Sequence, residues 1–178
     1  LATERGDDPY NHSYLNWANE VYKPTYITQH TLNLTGGSEV GRYLVSFDYL
    51  DQPGLVKNTE YQRYSYRVNT DLNIGKMLKV SSDVTYRHVD RLWPESLGSV
   101  QYDVWSMQPT SPVRYENGDY RLDKQNRNAI SLMDLDVVGE DRYNMDVVYG
   151  QVKADFEPIK DLVFTGMASL NGSWDRRK

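Results

Sequence analysis

Apolar and polar residues alternate along most of this chain. On either side of a Gly36-Gly37-Ser38-Glu39 turn, Leu32 and Leu34, then Tyr43, Val45, Phe47 and Tyr49, fall at every second position. Thr31, Asn33 and Thr35, then Ser46 and Asp48, fill the alternate places. A period of two belongs to a strand whose two faces meet different surroundings. The pattern predicts strands at 27–35, 42–51, 60–74, 78–89, 144–157 and 162–174. It is cleanest in the third, where Arg63, Ser65, Arg67, Asn69, Asp71 and Asn73 alternate with Tyr64, Tyr66, Val68, Thr70, Leu72 and Ile74. Short turns are expected at 36–41, 75–77 and 158–161, and a Pro53-Gly54 break ends the second strand, because proline has no N–H for a ladder.

Two stretches lack the alternation. Residues 1–26 show no sustained period; one helical turn is expected around 15–21, with Trp17 and Tyr22 packing the segment down. Residues 92–142 are punctuated by Pro94, Pro109, Pro112 and a Glu116-Asn117-Gly118-Asp119 turn. They carry the aromatic residues Trp93, Tyr102, Trp105, Tyr115 and Tyr120. Connections this long in a compact domain are uncommon and are usually functional or disordered.

Alternation alone fits a half-exposed antiparallel sheet or a membrane barrel. Three features favour the barrel. Strands this long exceed the usual ~5–6 residues and suffice for the ~9–11 that a tilted membrane strand needs. Short and long connections alternate, as in outer-membrane barrels. Tyr49, Tyr64, Tyr66, Tyr86 and Trp174 fall toward the long-loop end and Phe156 and Phe164 toward the short-turn end, so two aromatic rows bracket an aliphatic band. The fold expected is all-β: an antiparallel up-and-down meander of about six long strands, a segment of a transmembrane β-barrel wall with one long external loop. Its parts are an irregular external segment (1–26), four barrel strands (27–91), the long external loop (92–142) and two further strands (143–178), in a single partial barrel domain.

Composition bears on this in three ways. Hydrophobic residues are 39% of the 178 residues and tyrosines number 15, which suits a surface built of interfaces more than a deep aliphatic core. The net charge of −5 argues against a nucleic-acid partner, and it is concentrated in the connections, net −4 over residues 92–142 and −2 over residues 1–26. With no cysteine, neither a disulfide framework nor a thiolate metal site is available. No run of ~18 apolar residues and no leader is found. A start at Leu1 without Met favours an internal piece of a longer protein.

The run QHTLNLTGGSEVGRYLVSFDYLDQPGLVKNTEYQRYSYRVNTDLN resembles the early barrel of SusC/RagA-type TonB-dependent outer-membrane transporters of Bacteroidetes. The residues that carry the resemblance are Gln29, His30, Asn33, Leu34, Gly36, Gly37, Tyr49, Leu50, Asp51, Gln52 and Gly54; Pro53 and Leu55 stand where the family more often has Glu and Ile. Asn16-Trp17 and Glu20-Val21, and the later run from Gln108 to Gly118, also resemble family segments. The family's chains are several times longer, with a plug and about twenty-two strands, so this chain corresponds to a piece of wall whose outer strands are unpaired edges. Alone, it is expected to self-associate or to need detergent.

The resemblance implies energy-coupled uptake of glycans or peptides, a SusD-like surface lipoprotein as partner, and contact with the TonB complex through the missing plug. It also implies that the polar strand face, with Arg63, Arg67, Asn69, Asp71, Lys79, Asp83, Arg87, Lys153 and Asp155, faces the lumen. Trp93, Tyr102, Trp105, Tyr115 and Tyr120 are the candidate ligand-stacking residues, because a flat ring with a polar edge suits a sugar; packing of the loop onto its neighbours is the alternative. No nucleophile–base pair, phosphate loop or cofactor motif appears, so no enzyme is expected. His12, His30 and His88 lack ligand spacing, and Asp134, Asp136, Glu140 and Asp141 read as a solvated acidic loop rather than a Ca²⁺ site. Sequons at Asn11, Asn33 and Asn171 carry little weight. The alternative reading of the whole is a soluble β-rich carbohydrate-binding module.

Overall fold

A computed structural model describes Tyr10 and residues 13–178. Six strands form one antiparallel sheet in sequence order: β1 (Thr28–Gly37), β2 (Gly41–Pro53), β3 (Glu60–Ile74), β4 (Leu78–Pro94), β5 (Glu140–Ile159) and β6 (Leu162–Arg177). The all-β up-and-down meander expected from the alternation is what forms. The β1–β2, β3–β4 and β5–β6 turns share one end of the sheet. Gly75 and Asp161 supply left-handed residues in two of them, at φ 67° and 66°. The other end carries the β2–β3 and β4–β5 connections and the segment that enters β1.

The register stacks like on like. Leu34, Val45, Val68, Val84, Gly150 and Leu170 form one row across all six strands. His30, Tyr49, Tyr64, His88, Asp146 and Trp174 form another, two residues nearer the long-loop end than the Leu32–Phe47–Tyr66–Tyr86 row. Phe47–Tyr66, Tyr49–Tyr64 and Tyr66–Tyr86 ring centroids lie 5.1, 4.9 and 6.1 Å apart, close enough to interact across strands. At the turn end, Ile74 pairs with Leu78, Leu78 with Phe156 and Phe156 with Phe164. These are the two aromatic rows expected from the sequence.

Two strands outrun their alternation. β4 continues to Pro94 and β5 begins at Glu140, with Leu92 paired to Arg142 and Trp93 to Asp141. The ladder's backbone bonds persist past Val89, where Asp90, Arg91, Leu92 and Trp93 no longer alternate, so the periodic signal stops before the strand does. β5 also runs through Pro158, with the register shifting between Phe156 and Ile159, an irregularity that lets a residue without an N–H sit in a strand.

The sheet holds almost none of the core. Of its side chains only Val89 and Pro94 are buried, and apolar residues such as Leu32 (69% exposed) and Leu170 (70%) stand open. The buried cluster is instead at the loop end. There α1 (Trp17–Val21), α2 (Leu97–Ser106), a 3₁₀ turn (Ser131–Met133) and α3 (Leu135–Val138) make a cap. Trp17, Val21, Val100, Val104, Met107, Ala129 and Met133 form its centre. The long connection, narrowed to residues 95–139, is therefore a folded unit.

Candidate functional site

Helical spacing builds the cap. Val100, Val104 and Met107 recur at four and three residues and so bury one side of α2. Asn16 caps α1, its side-chain oxygen accepting from the N–H groups of Ala18 (3.1 Å) and Asn19 (3.3 Å). Asn128, almost fully buried, is the polar staple of the unit. Its Nδ2 donates to the carbonyls of Val113 (2.8 Å) and Arg121 (2.9 Å), and its Oδ1 accepts from the N–H groups of Ile130 (3.0 Å) and Ser131 (3.2 Å). Both polar atoms of its side chain are used, which offsets the cost of burying an amide.

The five candidate aromatic residues do not converge. Tyr102 and Trp105 lie one turn apart on α2, 69% and 75% exposed, beside a shallow depression with Gly98 and Gln101. Tyr115 and Tyr120 flank the Asn117-Gly118 turn closed by the Arg114–Tyr120 bridge. Tyr120 is engaged within the cap: its hydroxyl donates to Asp134 Oδ2 at 2.6 Å and the Arg114 guanidinium lies 3.7 Å from its ring centre. Trp93 stands apart at the top of β4 with Arg91 stacked 4.0 Å from its ring.

Trp93 borders a feature that sequence reasoning missed. A cleft of about 540 Å³ opens between the sheet end and the cap, walled by Tyr22, Leu55, Tyr61, Trp93, Leu97 and Val100. Gln52 and Gln101 place amides on the same lining. Its walls come from four separate stretches of chain, so no local pattern announces it. The helical spacing of Val100, Val104 and Met107 was the one signal of its helical wall.

The nine polar strand residues do share a face. Arg63 Nη2 is 2.9 Å from Asp48 Oδ1, Lys79 Nζ 3.9 Å from Asp71 Oδ2, and Lys153 Nζ 2.8 Å from Asp155 Oδ2. Asn69, Asp83 and Gln151 are paired in one row, and Arg67, Thr85 and Tyr149 in the next. Ser65, Arg87 and Val147 follow. Leu44, Leu50, Val89, Met145 and Met167 interrupt this face, so it is less uniformly polar than the third strand alone implies. Arg63 Nε, Asn69 Oδ1 and Arg91 Nε on it are buried without a hydrogen-bond partner among the described residues.

His30 and His88 lie on the opposite face. His30 stacks on Tyr49 at 6.5 Å, and His88 Nδ1 is 2.7 Å from Asp146 Oδ1, which also accepts the Tyr86 hydroxyl at 2.6 Å. His12, and Asn11 of the sequon that ends at Ser13, lie outside the described residues. Asp134, Asp136, Glu140 and Asp141 do not gather around a point. Asp134 caps α3, Asp141 takes Arg91 (3.3 Å) and Arg177 (2.7 Å), and no metal-binding group of three or more acidic, His or Cys residues occurs among the described residues.

Electrostatics in the cap are structural. Burial and the bond to Asp134 push the Tyr120 phenol up to about 12. The same bond, helped by the Asp136 N–H, holds the Asp134 carboxyl below the usual carboxylate range. Burial pushes Asp103 upward against the pull of Arg127. Burial would raise Asp123 too, but the bonds from Arg127, whose Nη2 is 2.8 Å from Asp123 Oδ2, keep it low.

The geometry has counterparts among known proteins. No protein-family model matches the chain. A TonB-dependent receptor of Formosa agariphila, P26, is 30% identical over 115 residues, 64% of this chain and 11% of that protein. The TonB-dependent receptor SusC of Bacteroides thetaiotaomicron is 25% identical over 105 residues, 58% of this chain and 10% of its own length. Among solved structures, the RagAB peptide transporter superposes with a TM-score of 0.76 at 22% identity, covering 96% of this chain and 20% of that one. This chain resembles a SusC/RagA-type barrel segment.

That resemblance to SusC/RagA-type barrels accounts for a sheet that is open at β1 and β6 and carries no core of its own. The chain spans about a tenth of the curated relatives and about a fifth of the solved neighbours. The fold is theirs over nearly the whole segment.

Proposed function

We propose that this chain is part of the wall of a TonB-dependent outer-membrane transporter that takes up glycans or peptides, and that its role is not catalytic. One observation carries the reading: a coreless sheet with sorted faces. From Tyr64 to Ile74 the apolar face of β3 spans eleven residues, about 33 Å along a strand, which at a tilt of about 40° is a band about 25 Å tall. That is the height of the apolar band of outer-membrane barrels, and aromatic side chains bracket it here as they do there. Lipid then covers Leu32, Val68 and Leu170. The polar face, from Arg63 to Asp155, turns to the lumen, where water or a plug supplies partners for its polar atoms.

The long-loop end is on this reading the extracellular mouth, and the cap is the part that ligand meets first. Exposed Tyr102 and Trp105 and the Trp93 cleft are the contacts available for a sugar ring or a peptide side chain. The similar proteins divide on this point: one is a peptide transporter, and others are TonB-dependent receptors whose names state no ligand. A surface lipoprotein of SusD type is the expected partner above the cap. The soluble carbohydrate-binding module is disfavoured by the open sheet, because monomeric soluble proteins rarely leave a large contiguous apolar face bare. Deleting residues 97–133 in the intact transporter tests the assignment: uptake and lipoprotein association should fall together, and unchanged values of both would remove the cap from the mechanism.

A further inference from the structure

The cap is not made by its own loop alone. Two of its seven buried centre residues, Trp17 and Val21, come from the segment that precedes β1. That segment is fastened almost wholly through backbone carbonyls of its neighbours. Ser13 Oγ donates to the Thr110 carbonyl (3.0 Å), the Leu15 N–H to Pro109 (2.8 Å), Trp17 Nε1 to Gln108 (3.0 Å) and the Lys23 N–H to Leu55 (2.9 Å). Tyr22 pairs with Val56 in an isolated antiparallel bridge. The β2–β3 loop is drawn in as well, through Asn58 Nδ2 donating to the Met133 carbonyl at 2.8 Å.

The segment's link to the sheet is of another kind. Residues 23–27 are exposed and belong to no strand, and the β1–β2 ladder begins only at Thr28 and Asp51. A swing about these residues breaks no ladder bond. A helix as short as the five residues of α1 has no stability by itself. It is helical because Trp17 and Val21 are buried against α2 and the turn near Ala129 and Met133. The dependence runs the other way too, since without those two side chains the inner side of α2 faces water.

We propose that residues 13–23 are a releasable clasp. Docked, they complete the cap's core and, through Tyr22, one wall of the cleft. Released, they let residues 97–133 loosen and the cleft open while the six strands stay paired. Access to the cleft is then set by a segment that lies outside it in sequence, whatever the cleft holds. Clasp and cap open as one unit of lower stability than the sheet.

Hydrogen exchange read by mass spectrometry on the intact protein in lipid nanodiscs tests this. These 178 residues contain no cysteine, so Tyr22→Cys with Val56→Cys introduces a single pair among them, across the bridge that joins the clasp to the β2–β3 loop. Facing residues of an antiparallel bridge are near disulfide distance. In the reduced pair, peptides covering 13–23, 97–107 and 128–133 should exchange at a common rate, at least about tenfold faster than β2 to β5. Oxidation should slow all three together by about tenfold or more, and reduction should restore them. Trp17→Ala, which needs no new bond, should speed all three together. The clasp is refuted if residues 97–107 keep their protection while 13–23 exchange, or if the disulfide slows only its own neighbours. Strand protection is the internal reference, so a failure of the barrel reading would show separately as sheet amides exchanging with the cap.

Discussion

The sheet and the cap are made from one chain by different physics. In the sheet almost nothing is buried: side chains alternate between an apolar and a polar face, and the order comes from a continuous ladder of backbone bonds. In the cap the strand pairing is reduced to two isolated bridges, and seven buried side chains with one saturated asparagine hold three short helices and a 3₁₀ turn. A coreless sheet is stable only where something else covers its faces, and a small core is stable only while all its contributors are docked. The first is a solvent-matching problem and the second a packing problem, so substitutions should behave differently in the two regions.

The largest effect is expected in the cap. Trp17→Ala removes a buried indole and its bond to the Gln108 carbonyl, and should cost the cap about 3–5 kcal/mol. Limited proteolysis should then cut residues 95–139 while leaving β1 to β6 whole. Loss of strand protection to the same extent would erase the distinction between the regions.

Next comes the sheet. Val68→Arg places a charge in the middle of the apolar face and should cost about 2–4 kcal/mol in a reconstituted barrel, whereas Arg67→Ala, one residue away on the polar face, should stay within about 0.5 kcal/mol. Urea unfolding in lipid measures both; equal costs would contradict the two-faced wall.

Smaller changes sharpen the cap's electrostatics. Tyr120→Phe deletes the O–H that Asp134 accepts and should cost about 1.5–3 kcal/mol. The sign with pH follows from the depressed Asp134 carboxyl. Its contribution is fully present above the unfolded carboxylate's value of about 3.9 and is lost as pH falls through the lower folded value, so acid below about pH 4 loosens the cap and Tyr120→Phe flattens that dependence. Asp103 runs the other way: burial raises its carboxyl, so stability is lost as pH rises past its unfolded value, and Asp103→Asn should slightly stabilise the cap at neutral pH. Cap stability followed by the fluorescence of Trp17 from about pH 2 to 7 checks both slopes, the Asp134 one below about pH 4 and the Asp103 one above it.

The same contrast explains what the sequence could say. Alternation is local, so Tyr64 to Ile74 announced a two-faced strand without help from distant residues, and the Gln29–Gly54 run carried the family resemblance. Strand ends were shorter in the reading than in the molecule, because Leu92 and Trp93 stay in the ladder after the alternation stops. The cap was legible only in fragments. A helical turn near 15–21 was readable and is α1, but its partners are remote; Trp17 and Gln108 are separated by 91 residues. The Trp93 cleft is assembled from four such stretches, and no spacing rule joins Tyr22 to Leu55, Tyr61 and Leu97. Of the aromatic candidates, Tyr120 looked like Tyr102 in sequence. Only the proximity of Asp134 and Arg114 separates a packed phenol from an exposed one.

The central claim is that lipid lies on one face of the sheet and water on the other, and site-directed spin labelling along β3 tests it most directly. Labels placed singly at residues 64–72 of the intact protein in a bilayer report collision with oxygen, which concentrates in lipid, and with a water-soluble nickel chelate. The account predicts opposite phases with a period of two: oxygen highest at Tyr66, Val68 and Thr70, nickel highest at Ser65, Arg67 and Asn69. Collision rates that do not alternate, or that alternate in the reverse phase, would contradict it.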